Sequence, residues 1–249
     1  MSHPTILAPP PSLASLCEEK EVALFLDFDG TLVDIAPRPD AIKVPAGMCG
    51  SLRSLSARLD GRLAIVSGRS LDDLGQHLDL SGMARAGSHG DMRVSADGSV
   101  IGDEPEPLTQ FVMRDLTEFA QRHGLLLERK PHGAALHYRD NLQFERAVSR
   151  FAGLLAEQYG LATKAGKCVV ELVPRGDGKA GAVATFMAAE PFIGARPIFI
   201  GDDVTDEDGF RAASEFGGFG IAVGERVSDN AQFHLADISA VHSWLELDF

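Results

Sequence analysis

Apolar residues along the chain follow two rhythms. Val22-Ala23-Leu24-Phe25-Leu26, Leu63-Ala64-Ile65-Val66, Ile198-Phe199-Ile200 and Ile221-Ala222-Val223 are short runs without a charge. That is the pattern of strands buried on both faces, as in a parallel sheet. Between them, Leu52, Leu55 and Leu59 recur at helical spacing and predict a helix over 46–59; another is expected over 180–189. Residues 83–101 read as short strands, with Asp97-Gly98 as a hairpin turn between Val94 and Val100. Pro37 and Pro39 punctuate the loop after the first strand, and a last helix ends with Trp244, a packing residue.

Beyond Pro105 and Pro107 the pattern changes. Leu108, Phe111, Val112, Leu116, Phe119 and Ala120 recur at helical spacing, followed by strand-like runs over 125–130 and 134–139. A second amphipathic helix carries Phe144, Ala147, Val148, Phe151 and Leu155. A hairpin over 161–164 and 167–173 then turns at Ala165-Gly166. This α-β-β-α-β-β block predicts a compact insertion. The chain is therefore expected to be α/β: a Rossmann-like core with a parallel sheet flanked by helices, built from 1–105 and 175–249, plus a smaller inserted α/β cap over 106–174. The connections at 102–107 and 173–178 both contain Gly and Pro, which predicts a hinge. Residues 1–20 read as a Pro-rich lead-in, mobile until Leu16.

Candidate chemistry sits where the strands end. Asp27 and Asp29 follow the first strand and lie two apart, so extended backbone points both to one face, with Phe28 on the other. Gly30 lets the chain turn away there, and in open α/β sheets ligands bind at the carboxyl ends of the strands. Ser67 ends the second strand. Lys179 follows Pro174-Arg175-Gly176-Asp177-Gly178, but a nucleotide P-loop is excluded: Val173 stands where Gly is needed and Ala180 where Ser or Thr is needed. Asp202, Asp203, Asp206, Glu207 and Asp208 crowd seven positions after the strand at 197–201. They repel one another unless a metal or a helix N-terminus absorbs the charge. A calcium loop started at Asp206 lacks its twelfth-position Glu. Glu171, between Val170 and Leu172, is a charge in an apolar run, costly unless paired or used.

Composition narrows the function. A formal net charge of −13 argues against general nucleic-acid or anionic-membrane binding, since both require basic surface. Cys17, Cys49 and Cys168 lie far apart with no C-x-x-C pair, as expected of reduced thiols in a cytoplasmic protein. No apolar run reaches the roughly 18 residues of a membrane span. The first residues, with four prolines by position 15 and no basic n-region, do not read as a secretory signal.

Asp27-Phe28-Asp29-Gly30-Thr31-Leu32 resembles the first motif of the haloacid dehalogenase (HAD) superfamily of phosphohydrolases. The resemblance implies that Asp27 attacks phosphorus and that Asp29 is general acid, then base. It makes Ser67 the second motif, binding a phosphoryl oxygen, and Lys179 the third, offsetting charge on Asp27 and the phosphoryl group. The acidic stretch becomes the fourth motif, with Mg2+ held by Asp27, Asp29, Asp202 and Asp203. Which of Asp202, Asp203 and Asp206 touches the metal stays open. A cation is also required physically, because two carboxylates beside a phosphate dianion repel it. Gly87-Ser88-His89-Gly90, Leu136-His137-Tyr138-Arg139, Gly166-Lys167-Cys168-Val169-Val170-Glu171, Pro174-Arg175-Gly176 and Gly201-Asp202-Asp203-Val204-Thr205-Asp206-Glu207 resemble the trehalose-6-phosphate phosphatases. That narrower resemblance implies trehalose 6-phosphate as substrate and a metabolic link to a trehalose-6-phosphate synthase. It assigns Glu128, Lys130 and Glu171 to the disaccharide and Gly68, Arg69 and His89 to substrate; His89, His137 and Arg139 are the weaker candidates. Another sugar-phosphate phosphatase, or a phosphomutase, would share the core motifs.

Overall fold

The computed structural model describes residues 7–36, 41–102, 106–166 and 168–249. In chain order the helices are α1 (Leu13–Glu19), α2 (Met48–Arg58), α3 (Leu71–His77), α4 (Gln110–His123), α5 (Glu145–Tyr159), α6 (Gly178–Met187), α7 (Asp206–Glu215) and α8 (Ile238–Leu245). The strands are β1 (Val22–Leu26), β2 (Leu63–Val66), β3 (Ala84–Gly87), β4 (Met92–Val94), β5 (Leu126–Lys130), β6 (Gly133–His137), β7 (Leu161–Gly166), β8 (Val169–Pro174), β9 (Arg196–Gly201), β10 (Phe219–Val223) and β11 (Phe233–Leu235). The chain divides into two compact units, Met1–Glu104 with Asp177–Phe249, and Pro105–Gly176.

The first unit is built on a sheet of order β11-β10-β9-β1-β2-β3-β4. All its pairings are parallel except β3 with β4. β1 lies in the middle and is buried at every position. Its side chains alternate between two cores. Val22, Leu24 and Leu26 pack with α2, α3 and α8 through Leu52, Leu55, Leu74, Val241 and Leu245. Ala23 and Phe25 face Ala182, Val183 and Phe186 of α6 and Phe210 of α7. A side chain of this size contributes about 1.5–3 kcal/mol on full burial, so a run without polar residues is what the central position of the sheet demands. Neighbouring parallel strands β1 and β9 then end side by side, with Leu26 opposite Ile200, and bring their following acids to one edge.

The second unit is an antiparallel sheet of order β5-β6-β8-β7. α4 and α5 pack Val112, Leu116, Val148, Ala152 and Leu155 against Ala134, Leu136, Val170 and Leu172 on one sheet face. Strand alternation turns Glu128, Lys130, His137 and Glu171 to the opposite face.

Several boundaries differ from the sequence expectation. Order begins well before Leu16: α1 starts at Leu13 with Ser12 as its N-cap, and Leu13 is buried. The lead-in is tied down by long-range bonds that no local pattern reveals, with His234 N donating to Ala8 O at 3.0 Å and Trp244 Nε1 to Pro11 O at 2.7 Å. α2 starts at Met48 because Gly47 adopts a left-handed φ of 94°. α6 starts at Gly178 and so includes Lys179 in its first turn. β7 continues through Ala165 and Gly166, and β8 starts at Val169. The Pro37 and Pro39 loop, and part of the expected hinge at 102–107, lie outside the described residues.

Candidate active site

Asp27 leaves the end of β1 with its backbone N–H still bonded to Ile200 O of β9, at 2.9 Å. Asp27 is 4% exposed. Lys179, in the first turn of α6, is 3% exposed and donates to Asp27 Oδ1 at 2.7 Å and to Asp206 Oδ1. Asp206, fully buried at the start of α7, accepts through its other oxygen from Asp203 N at 2.9 Å. The buried Thr31 hydroxyl lies 3.4 Å from Asp27 Oδ2 and 3.4 Å from Asp202 Oδ1. Gly30, at a φ of 88°, makes room for this: a Cβ there would collide with the Asp202 carboxylate.

Oxygens of Asp27, Asp202 and Asp206 lie within 4.8 Å of one another. One ammonium against three converging carboxylates leaves the centre short of positive charge. The titration shifts express this. Burial pushes the Asp27 carboxyl well up; Lys179 opposes the shift, and Asp206 and Asp202 add to it. Burial also works against the Lys179 ammonium, but Asp27 and Asp206 outweigh it and hold the lysine charged. Burial, then Asp206 and Asp203, lift the Asp202 carboxyl to about 6. An all-oxygen donor set with unbalanced negative charge suits a hard divalent cation such as Mg2+.

Asp29 and Asp203 place their carboxylates elsewhere. Asp29 is gripped at both oxygens by Arg69, Nε to Oδ2 at 2.7 Å and Nη2 to Oδ1 at 2.9 Å. Arg69 is anchored in turn by Asp73 of α3, at 2.6 Å. Asp203 is exposed, and its Oδ1 accepts from Val204 N at 2.7 Å.

Ser67 is fully buried beyond β2, and its Oγ accepts from Arg69 N at 3.2 Å. His89 N donates to Ser67 O at 2.9 Å, and Ser88 N to Arg69 O at 2.6 Å. Ser88, His89 and Gly90 all adopt positive φ, of 53°, 63° and 101°. Two non-glycine residues in succession there mark a backbone held by its surroundings. The His89 ring lies where a Gly68 Cβ would stand, 2.8 Å from Cε1. Ser67, Gly68, Arg69 and His89 thus form one loop cluster beside the strand that delivers Asp27 and Asp29.

In the second unit, Lys130 Nζ donates to Glu171 Oε2 at 2.8 Å, and His137 Nε2 lies 2.8 Å from Glu128 Oε2. Arg139 is exposed at the end of β6. Thr31 and Asp73 were not singled out from sequence. Thr31 has a signal as the fifth residue of the first motif; Asp73, an acid in the first turn of α3, has none.

The trehalose-phosphatase family model matches residues 25–239. A trehalose-6-phosphate phosphatase of Escherichia coli (strain K12) is 39% identical over 228 residues, covering 90% of this chain and 85% of the relative. The crystal structure of a trehalose-6-phosphate phosphatase related protein superposes with a TM-score of 0.70 at 26% identity, covering 90% of this chain and 95% of the other. A Bacteroides thetaiotaomicron phosphatase of the HAD superfamily shares the fold, with a TM-score of 0.66 at 18% identity over 90% and 92% of the two chains. The chain belongs to the trehalose-phosphatase family, on a HAD-superfamily fold.

Proposed function

We propose that the chain hydrolyses trehalose 6-phosphate to trehalose and phosphate through an aspartyl-phosphate. The observation that carries the chemistry is the buried Asp27, which Lys179 holds at one oxygen only. Asp27 Oδ2, touched only weakly by Thr31, attacks phosphorus while the bond to the sugar oxygen breaks, and Asp29 protonates that oxygen. In the second half a water attacks the aspartyl-phosphate, Asp29 takes its proton, and phosphate leaves with Asp27 restored. Because Arg69 holds both Asp29 oxygens, proton transfer requires one of them to leave Arg69 for the sugar oxygen. Lys179 stays charged throughout and balances negative charge on Asp27 and the phosphoryl group.

Asp27, Asp202 and Asp206 would hold Mg2+, which when bound supplies positive charge to the phosphoryl oxygens. Ser67 contributes a hydroxyl to the phosphoryl group, and Gly68, Arg69 and His89 line its approach. The inserted unit acts as a cap that reads the sugar with Glu128, Lys130 and Glu171. Its substrate would come from a trehalose-6-phosphate synthase. The three free thiols suit a cytoplasmic setting, and among the described residues no helix is long and apolar enough to cross a membrane.

Phosphate release from trehalose 6-phosphate tests the mechanism. Asp27→Asn is expected to abolish it while the fold persists, and Asp29→Asn to lower it by about 10²–10⁴-fold. EDTA should silence the enzyme and Mg2+ restore it. Substantial turnover by Asp27→Asn, free of deamidation, would overturn the reading.

A further inference from the structure

Asp27 and Asp206 are fixed by Lys179, but Asp202 is not. Of the hydrogen bonds to the Asp202 carboxylate, the Thr31 hydroxyl supplies a long one, at 3.4 Å. The Asp202 backbone is held as well, by an arginine 24 positions along the chain. Arg226, in the loop after β10, donates from Nε to Asp202 O at 3.1 Å and from Nη2 to Asp203 O at 3.1 Å. The same Nη2 donates to Glu207 Oε1, and Nη1 to Val227 O at 3.1 Å. Glu207 is locked by its other oxygen, which accepts from Asn230 N at 2.9 Å and Asn230 Nδ2 at 3.0 Å. Burial works against the Glu207 charge, and Arg226, Ser228 and Asn230 outweigh it and keep the carboxyl low.

We infer that Arg226, clamped by Glu207 and Asn230, is the positioning residue for the Asp202 ligand arm of the cation site. The inference rests on the metal reading above and goes beyond it. Five acids within 202–208 repel one another, and a loop carrying them needs a cation to hold its shape in the absence of metal. Lys179 already occupies one oxygen each of Asp27 and Asp206, and a second cation on the Asp202 carboxylate would compete with the metal. Arg226 instead engages the backbone carbonyls of Asp202 and Asp203 and one carboxylate, that of Glu207, which is not part of the converging trio. The loop is held, and its metal-facing oxygens keep their charge. The planar fork is required, because it serves acceptors in several directions at once; a lysine is a point charge on a flexible stem. Partners that orient metal ligands from behind typically change metal affinity by about 10–100-fold when removed.

The test is Mg2+ binding to the substrate-free protein by titration calorimetry, with melting temperature recorded with and without Mg2+. Arg226→Lys and Glu207→Gln are each expected to weaken Mg2+ binding by about 10-fold or more, with a smaller Mg2+-induced rise in melting temperature. Arg226→Met should weaken it further. If that variant does not fold, the two milder ones carry the test. Unchanged Mg2+ affinity in both, with only a lower melting temperature, would mean that Arg226 merely braces the fold and would overturn the inference. Mg2+ binding absent from the unaltered protein would overturn the metal reading itself, and the positioning role with it. Binding that is lost in Asp202→Asn but kept in Arg226→Lys and Glu207→Gln separates the two failures.

Discussion

Lys179 is 3% exposed yet charged because Asp27 and Asp206 flank its ammonium. The pairing shows what residue-level reading can and cannot reach. Asp27, Asp29 and Lys179 are legible as candidates because each stands at a strand end or beside a Gly-rich turn. Asp206 could be seen only as one of three acids left open, since its lock on a lysine 27 positions away is made by the packing of α6 beside α7. Arg226 has no local signal, because nothing in its own loop marks it and its partners in the acidic stretch lie 19 to 24 positions away. Asp202 yields a prediction at this scale. With its carboxyl lifted to about 6 from 3.8, its contribution to the stability of the metal-free protein is present below the lower value and is lost as pH rises through the upper one. A bound cation reverses that loss. The melting-temperature gain from Mg2+ should therefore be larger at about pH 7 than at about pH 5. Thermal denaturation with and without Mg2+ at both pH values checks this, and an equal gain would contradict it.

At the scale of elements, the uncharged runs gave β1, β2, β9 and β10 with little error, since burial on both faces leaves no place for a charge, whereas β11 at the sheet edge is three residues long, only partly buried, and was not expected. Helix ends were less legible. α6 begins a full two residues before the expected 180, and the difference matters because it puts Lys179 on a rigid turn rather than in a loop. α1 was missed because it spans only seven residues after a Pro-rich stretch, and the bonds that hold the segment before it come from Trp244 and His234, over two hundred residues away. In the inserted unit, period-two alternation correctly separates the helix-covered face of the sheet from the face carrying Glu128, Lys130, His137 and Glu171. The Lys130–Glu171 pair supplies the partner that a charge in an apolar run requires. If that face reads the sugar, Glu171→Ala should cost about 1.5–3 kcal/mol of transition-state binding with trehalose 6-phosphate, and far less with a small aryl phosphate. Comparing kcat/KM for the two substrates measures this. An equal loss on both would assign Glu171 to stability alone.

For the molecule as a whole, an acidic chain of net charge −13 must bind an anionic ester against its own field. Lys179 and Arg69 are outnumbered by the carboxylates they pair with, so under the proposed reading the bound cation supplies the balance. In the proposed mechanism the core residues act on the phosphoryl group alone, as expected of a fold that serves many phosphate esters. On that proposal selectivity for the disaccharide comes from the inserted unit, and binding energy from the second sugar ring is felt in turnover as well as affinity. The most direct test is the initial rate of phosphate release, with Mg2+, from trehalose 6-phosphate against glucose 6-phosphate. Glucose 6-phosphate offers the same phosphate with one ring fewer. Hydrolysis of the disaccharide ester should be faster by about 10²-fold or more, the size of one or two lost charged hydrogen bonds. Equal rates on the two esters would contradict the trehalose 6-phosphate assignment.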